Sequence, residues 1–407
     1  MRIVLLGARA EPLPALTAAG HRVTVLHEPW EAGRAAALRD RVTACVQVDS
    51  YGSTEAMLAA LARTGPAEAD AVATIAEFAV VPAALLGAAL GARALDPDVA
   101  LRCRDKAVQK AAWRAAGVPT ANWVLAPHTA AEPERAVALA VAQGLTGPLV
   151  VKPVSSAGTR GCAVAPDLRS LASVIRNLAR DDDSLDDLVV EEYNRGDEWH
   201  FDGVVRRGRL EALLVSKYLA PVIETRDDRP IATATFPHRA HPGLQREAAE
   251  LTLAALRALG LTDAAFHFEA FGGPGRFTAG ELAARPGGSW IKHLARHALG
   301  IDLFGASVQT VTGDPTEFRA TTDRSFGFTH LPTVPGRCNR LGPEDLLAIP
   351  GVLEVELGVP YGEPLPGMRE SALAGAGRAL VEAADREACE AVLRAVVARA
   401  LEVSAGG

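Results

Sequence analysis

A lysine near the end of an apolar run is the first residue of this sequence that could do chemistry. The run PLVVKPV (148–154) is typical of a buried strand, and it contains Lys152. A buried ammonium group is costly unless an anion meets it. The loop that follows, SSAGTRG (155–161), consists of small residues whose backbone N–H groups can close over phosphates. The pattern favours a phosphate site, with a lysine that only snorkels from the strand end as an equal alternative.

Two acidic residues lie on neighbouring predicted strands further along the chain. The segments FHFEAF (266–271) and TAGELAARPGG (278–288) contain Glu269 and Glu281, each among apolar residues. Buried carboxylates repel each other unless a cation lies between them. Oxygen ligands shared with phosphates suit Mg²⁺, and Arg285 could stabilise phosphoryl charge. The alternative is a purely structural pair of arginine and glutamate.

A third group of carboxylates surrounds a glycine turn. Glu191 and Glu192 leave an apolar strand, and Glu198 begins the next strand after Gly196. A strand end of this kind could offer backbone groups to an adenine edge, and a carboxylate could accept ribose hydroxyls. Taken by itself, the segment is better interpreted as a solvated acidic strand end.

The elements that must position these residues begin with a β-α-β pattern. An apolar run at 2–6 ends at Gly7, a helix stops at Gly20, and an alternating run follows at 22–26, which predicts a parallel sheet. The first turn lacks Gly-x-Gly-x-x-Gly, and the sequence has no P-loop motif, so a dinucleotide or P-loop site is disfavoured. Further strands are predicted at 44–48 and 71–75, and a helix at 79–91.

The rest of the chain alternates helices with strand pairs. We predict a helix at 99–117, an acidic turn at 181–187, and a long irregular loop at 221–240. Other helices are predicted at 168–179, 243–259 and 385–401, and strands at 188–193, 199–206, 210–217, 264–271 and 277–283.

Composition narrows the class of protein. The chain has 407 residues, a net charge of -7, and hydrophobic residues at 49 %. These values fit a globular protein of several sub-domains and disfavour a nucleic-acid surface. The five cysteines are scattered, which argues against a disulfide framework or a zinc site and fits a reducing cytosol. No apolar stretch predicts a membrane span, so a cytoplasmic protein is expected.

The order of these features resembles the ATP-grasp superfamily. The motifs that carry the resemblance are RDKAVQKAAWRAAGVPTANW with Lys106, VVKPVSSAGTRG, EEYNRGDEW, and HFEAF followed by GELAARPGG. The resemblance implies an α/β protein with the ATP-grasp fold and an N-terminal Rossmann-like domain. The implied domains are 1–97 (Rossmann-like), 98–187 and 188–320 (two central α+β sub-domains, the second with the Mg-ATP site), and 321–407 (C-terminal).

The resemblance also implies roles for individual residues. Lys106 and Lys152 correspond to the lysines that hold the ATP phosphates. The implied ATP-binding set is Lys106, Lys152, Ser155, Ser156, Gly158, Gly161, Glu191 (beside the adenine amino group), Glu192 and Asn194 (backbone), Glu198 (ribose) and, more weakly, Lys217. The implied metal ligands are Glu269 and Glu281; Arg285 stabilises the acyl phosphate and the transition state. The expected substrate contacts are Glu77, Arg285 and Gly288, together with two residues argued from position. His267 shares a strand face with Glu269 and either touches substrate or phosphate or simply packs. Trp290 follows the Gly-Gly turn and either walls the substrate pocket or, as is more common, packs in the core.

One position departs from the superfamily pattern. Many members have Glu-x-Asn at the second metal position, whereas here Glu281-Leu282-Ala283 puts alanine in place of asparagine. Position 283 therefore offers no side-chain ligand. The form ELAARPGG is similar to that of L-amino-acid ligases, which make dipeptides. The segment EFAVVPAALLGAALG, which begins at Glu77, and the C-terminal GFTHLPTVPGR also look like that branch.

The expected activity is a carboxylate–amine ligase that uses ATP with Mg²⁺, or Mn²⁺ as a substitute. It releases ADP and phosphate by way of an acyl phosphate. Its partners are small-molecule carboxylates and amines, with amino acids expected, and dimers are common in the family. Another ATP-grasp enzyme, carboxylase-like or acting on nucleotide precursors, and a non-catalytic ATP-binding protein are the alternatives. The segments 155–161 and 221–240 are the expected lids.

Overall fold

A computed structural model describes residues 1–65, 68–127, 132–181, 187–225, 229–318, 322–367 and 375–405. Most of the predicted acidic turn at 181–187 lies outside the described residues, as do residues 226–228 of the predicted loop at 221–240. The described chain forms three sheets, of four, four and eight strands.

The N-terminal sheet is parallel, as the β-α-β pattern predicts. Its strands are β1 (Arg2–Leu6), β2 (Arg22–His27), β3 (Ala44–Gln47) and β4 (Ala71–Thr74), in the order β3-β2-β1-β4. The helices that alternate with these strands are α1 (Leu13–Ala18), α2 (Ala32–Ala36), α3 (Thr54–Thr64) and α4 (Val80–Leu90). Apolar strand residues pack against helices on both faces of this sheet, and Val308, from a helix much later in the chain, completes the packing on one face.

A second sheet of four antiparallel strands follows. Its strands are β5 (Trp123–Ala126), β6 (Leu149–Pro153), β7 (Ala163–Ala165) and β8 (Leu188–Glu192), in the order β5-β8-β6-β7. Helices α7 (Pro133–Ala142) and α8 (Leu168–Asp181) pack on it. The sheet carries Lys152 on β6 and Glu191 on β8, and these two strands are neighbours.

The helix predicted at 99–117 is wrong as one element, because it consists of two. Helix α5 (Pro97–Arg104) and helix α6 (Lys106–Ala115) meet at Asp105. Asp105 adopts an extended conformation, with φ -91° and ψ 115°, and its carboxylate accepts hydrogen bonds from the N–H groups of Ala107 and Val108. Such an N-cap starts a new helix, and it places Lys106 in the first turn of α6.

The third sheet has eight antiparallel strands and extends to the C-terminal part of the chain. Its order is β13-β12-β9-β10-β11-β14-β16-β15. The strands are β9 (Asp197–Arg206), β10 (Arg209–Tyr218), β11 (Ala232–Thr235), β12 (Ala264–Gly272), β13 (Thr278–Ala283), β14 (Ser325–Leu331), β15 (Val352–Leu357) and β16 (Gly377–Ala383). The helices are α9 (Pro242–Leu259), α10 (Ile291–Leu299), α11 (Leu303–Thr312), α12 (Pro343–Leu347) and α13 (Arg386–Ala405). The boundaries proposed for the four domains stay predictions.

The prediction of an irregular loop at 221–240 is wrong for part of its length. Strand β11 lies inside it, between β10 and β14. All four of its residues are buried. The sequence ATAT consists of small residues flanked by proline and loop residues, so the strand depends on its two neighbours rather than on its own side chains.

Helices cover the two faces of the large sheet differently. One face packs against α9 and Trp113 of α6 through residues such as Phe201 and Phe266. The other face packs against α10 and α11 at one end. Beyond these helices the same face opens into a cavity. Within the described part of the chain, no helix is both long and apolar enough to cross a membrane.

Candidate active site

A cavity of about 880 Å³ lies where the three sheets approach one another. Its lining includes residues from the N-terminal sheet, the four-stranded sheet and the eight-stranded sheet. The predicted site residues that line it are Glu77, Lys106, Lys152, Ser156, Gly158, Glu191, Glu192, Asn194, Glu198, His267, Glu269, Glu281, Arg285, Gly288 and Trp290. Ser155 and Gly161 belong to the loop that borders it, whereas Lys217 lies elsewhere.

Lys152 is paired with a buried carboxylate rather than free. Its Nζ atom lies 2.6 Å from Oε1 of Glu191, and Nζ of Lys110 lies 2.6 Å from Oε2 of the same carboxylate. Burial alone would raise the pKa of Glu191, but the two ammonium groups lower it to about 2. The carboxylate therefore stays ionised and holds two positive charges at the cavity wall.

Lys106 links the first turn of α6 to two other parts of the site. Its Nζ atom donates to the carbonyl oxygen of Ser156 at 3.1 Å and lies 3.0 Å from Oε1 of Glu281. Arg104 donates to the same carbonyl oxygen at 3.1 Å. Two cations thus hold the loop 155–161 at the edge of the cavity.

Polar side chains concentrate on one face of the large sheet. Residues i and i+2 of a strand share a face, so Glu198, His200 and Asp202 of β9 point the same way. His267 and Glu269 of β12 lie beside them, as do Glu281 and Ala283 of β13. Glu269 stands directly opposite Glu281 in the strand register, which brings the two predicted metal carboxylates together.

The carboxylates at this face have different electrostatic environments: burial would raise the pKa of Glu269, but His267, Lys152 and Lys106 lower it. Burial and the neighbouring Glu269 raise the pKa of Glu198 to about 8, although the N–H of Val222 donates to Glu198 at 2.8 Å. The carboxylates of Glu269 and Glu281 each keep close to a third of their surface exposed to the cavity. A bound cation would offset their mutual repulsion.

Arg285 contacts a residue of the N-terminal part of the chain. Its Nε atom donates to Glu77, whose other carboxylate oxygen lies 3.6 Å from Nη1 of Arg104. Burial would raise the pKa of Glu77, but Arg285 and Arg104 lower it. Glu77 therefore joins the junction of β4 and α4 to the guanidinium group beside the carboxylates.

Lys217 is not brought to the carboxylates. It pairs in register with Trp199, and both lie on the sheet face opposite Glu198. Its Nζ atom lies 2.8 Å from Asp197 and 5.6 Å from the centre of the Trp199 ring. In this arrangement Lys217 supports the far face of the sheet and does not reach the cavity lining.

The predicted adenine edge lies where β8 ends. The N–H of Glu192 donates to the carbonyl of Asn122 at 3.0 Å, and its carboxylate accepts from Thr146. The side chain of Asn194 accepts from the N–H of Gly196 at 2.8 Å and donates to Thr278 at 2.9 Å. These bonds fix the course of the chain past the cavity.

The turn before α10 closes one end of the cavity. A Cβ atom at Gly288 would meet no atom within 4 Å, so the backbone there faces open space. Trp290 is 3 % exposed and stacks on His293 with ring centres 4.6 Å apart, so it belongs to the core as well as to the lining. His293 and His297 both hydrogen bond to Glu354 and make no contact with Glu269 or Glu281 among the bonds described.

Sequence reasoning missed Lys110, Arg104, His200 and Asp202. A signal for Lys110 existed in the spacing of its neighbours. One face of a helix, with the spacing i, i+3, i+4, i+7, carries Lys106, Gln109, Lys110 and Trp113, and all four are buried. A signal also existed in β9, where Glu198, His200 and Asp202 alternate with the hydrophobic residues of the other face.

Solved structures share this architecture over nearly the whole chain. An L-amino acid ligase from Bacillus licheniformis superposes with a TM-score of 0.73 at 19 % identity, covering 97 % of this chain and 96 % of that one. An N5-carboxyaminoimidazole synthase from Aspergillus clavatus, in complex with ADP and 5-aminoimidazole ribonucleotide, gives a TM-score of 0.70 at 16 % identity, with 99 % of each chain covered. The biotin carboxylase domain of the Hydrogenobacter thermophilus 2-oxoglutarate carboxylase gives 0.67 at 16 % identity, with 97 % and 89 % covered.

Sequence matches to curated proteins are shorter. A D-alanine–D-alanine ligase from Idiomarina loihiensis is 38 % identical over 95 residues, which is 23 % of this chain and 29 % of that protein. The uncharacterized protein y4rH from Sinorhizobium fredii is 26 % identical over 281 residues, 66 % of this chain and 55 % of that protein. The chain thus spans less than two thirds of either relative, and no family model matches it. The structural likeness, the sheet order and the arrangement of the cavity together show that the protein has the ATP-grasp fold.

Proposed function

We propose that this protein is an ADP-forming carboxylate–amine ligase that acts on amino acids. The observation that carries the proposal is the register of Glu269 against Glu281. These carboxylates line the same cavity as Lys106, Lys152 and Arg285. Phosphoryl transfer requires cations that hold phosphates, carboxylates that hold a metal ion, and a guanidinium group that stabilises developing charge.

The residues at the carboxylates fit a magnesium ion. Glu269 and Glu281 are hard oxygen donors, they face open space, and no hydrogen bond joins them to each other among the contacts described. Magnesium supplies charge neutralisation between phosphate oxygens when bound. Ala283 contributes no ligand, so substrate oxygens and water would complete the coordination.

The protein's own groups act on a substrate carboxylate and an amine. Lys106 and Lys152 hold the phosphates of ATP, and Glu198 faces the ribose. A carboxylate oxygen attacks the γ-phosphorus, ADP leaves, and an acyl phosphate forms. The amine nitrogen then attacks the acyl carbon, loses a proton, and displaces phosphate. Arg285 stabilises the charge that develops in both steps.

The preference for amino-acid substrates rests on two kinds of support. The L-amino acid ligase and the D-alanine–D-alanine ligase are both named for amino-acid substrates. Glu77 lies beside Arg285 at the cavity, so a carboxylate and an ammonium group of one substrate could each find an opposite charge there. A carboxylase or a nucleotide-precursor ligase is the second candidate, which the biotin carboxylase domain and the carboxyaminoimidazole synthase keep open.

The test is product analysis over a matrix of amino acids, singly and in pairs, with ATP and Mg²⁺. We expect ADP and phosphate together with a condensed product by mass spectrometry. Formation of AMP and pyrophosphate would contradict the proposal. Turnover that requires bicarbonate, with no condensation of amino acids, would favour the second candidate.

The variant Glu281→Ala is expected to lower turnover by at least about 100-fold while leaving the fold intact. The reason is that it removes one of two facing carboxylates and the partner of Lys106. The matched control is Glu250→Ala, which removes a carboxylate that is 70 % exposed on α9. Retained activity in Glu281→Ala, with an unchanged melting temperature, would mean that Glu281 is not part of the metal site.

A further inference from the structure

Below the carboxylates, a chain of hydrogen bonds crosses the floor of the site. It runs from Thr233 through His200, Asp202 and His267 to Glu269, and it joins strands β11, β9 and β12. His200, Asp202 and Thr233 are fully buried, and His267 is 9 % exposed. Neither the composition nor the proposed reaction accounts for a polar chain of this kind in a hydrophobic sheet.

Asp202 is the common acceptor of the chain. Its Oδ2 lies 2.6 Å from Nδ1 of His200, and its Oδ1 lies 2.8 Å from Nδ1 of His267. Burial would raise the pKa of Asp202, but the two imidazole rings lower it well below its usual range. An ionised carboxylate with no donors of its own fixes the orientation of both rings.

The far end of the chain is anchored to backbone. The hydroxyl of Thr233 donates its one hydrogen to the carbonyl oxygen of Lys217 at 3.1 Å. The same hydroxyl lies 2.7 Å from Nε2 of His200, within hydrogen-bond distance. The ring of His200 is thus held between Thr233 and Asp202, which fixes its orientation.

The near end of the chain reaches a proposed metal ligand. With Nδ1 held by Asp202, the Nε2 atom of His267 points to Oε1 of Glu269 at 3.4 Å. The ring therefore contacts one oxygen of Glu269, while the other oxygen stays available to a cation.

Two small residues make room for this arrangement. A Cβ atom at Gly287 would lie 2.6 Å from Oδ1 of Asp202 and 3.0 Å from Nδ1 of His267, so only glycine lets the backbone close over the pair. Ala283 pairs in register with His267. The position that lacks a ligand side chain therefore lies beside the ring that contacts Glu269.

We propose that His200, Asp202 and His267 form a positioning relay that orients Glu269 for metal binding, in compensation for the missing ligand at position 283. This inference rests on the proposed function only in taking Glu269 as a metal ligand. None of the three relay residues is proposed to touch the reacting atoms. Outer residues of this kind typically change metal affinity by about 10- to 100-fold.

The experiment is a titration of the full-length protein with Mn²⁺ in the presence of ADP, followed by electron paramagnetic resonance of free Mn²⁺. Asp202→Asn is expected to weaken Mn²⁺ binding by about 10- to 100-fold. His267→Gln, a change at the cavity wall, serves as the second variant if Asp202→Asn does not fold. Binding of ADP without metal is expected to be unchanged in both, because neither variant alters a side chain proposed to contact the nucleotide, Lys106, Lys152 or Glu198.

The matched control is His21→Gln. His21 also pairs with an aspartate, with Nε2 at 2.6 Å from Asp314, but it lies in the N-terminal part of the chain away from the cavity. Unchanged Mn²⁺ affinity in a folded relay variant, or an equal loss in the control, would overturn the proposal. So would a directly bound nitrogen in the spin-echo spectrum, because His267 would then be a ligand. The titration needs no turnover, so failure of the ligase activity is a separate result.

Discussion

The variant Glu191→Gln is expected to destabilise the protein by about 3–5 kcal/mol at neutral pH, the cost of removing one partner from a buried ion pair. The change leaves the ammonium groups of Lys110 and Lys152 without their shared carboxylate. Both lysines are at most 8 % exposed. An amide oxygen can still accept a hydrogen bond, but it carries no charge to offset two buried cations.

Chemical denaturation of the two proteins measures this loss. The matched control is Glu192→Gln, the next residue of β8, whose carboxylate accepts from Thr146 at the protein surface; we expect a change within about 0.5 kcal/mol. The folded pKa of Glu191 is about 2, below the ordinary 4.5. Its stabilisation is thus complete above about pH 4.5 and is lost as the pH falls through 2. Equal stability of Glu191→Gln and the parent protein would contradict the paired arrangement.

The second large effect is expected at Arg285. The variant Arg285→Lys should lower kcat by about 10²- to 10³-fold, because lysine keeps the charge but loses the planar fork of donors. In the structure that fork engages Glu77 and the carbonyl oxygen of Pro286 at once. An ammonium group cannot reproduce both contacts and also face a developing phosphoryl charge.

Steady-state kinetics on the substrate pair found by product analysis gives the test. A fall in kcat with little change in the KM for ATP would mean that Arg285 acts in the transition state. Arg239→Lys is the control, because Arg239 forms an ion pair with Asp323 at the surface and its side chain is 72 % exposed. A raised KM with kcat unchanged would instead assign Arg285 to uniform substrate binding.

Much of the fold could be predicted because local pattern and final structure agree. The apolar run at 2–6 and the alternating run at 22–26 became neighbouring parallel strands. The predicted strands at 199–206 and 210–217 became β9 and β10, which form an antiparallel hairpin. Its two turn residues, Arg207 and Gly208, have φ of 50° and 70°, the positive values that a tight two-residue hairpin turn requires. Strand β11 could not be predicted, because its pairing with β10 and β14 is long-range and its own residues are small.

The site was predictable where a residue type conflicts with its surroundings. Lys152 in an apolar strand and Glu269 among aromatic residues are costly choices, and both line the cavity. Lys217 also lies near the end of an apolar strand, but one residue of register decides which face it occupies. The sequence could not reveal that Lys110 pairs with Glu191 or that His267 pairs with Asp202, because each contact joins elements that are far apart in the chain.

The most direct test of the central claim follows an oxygen atom. The carboxylate substrate is labelled with ¹⁸O, and the released phosphate is analysed by mass spectrometry. If an acyl phosphate forms, the bridging carboxylate oxygen leaves with phosphorus, so each phosphate should carry one ¹⁸O while ADP carries none. Label in AMP, or phosphate without label during product formation, would contradict an acyl-phosphate ligase.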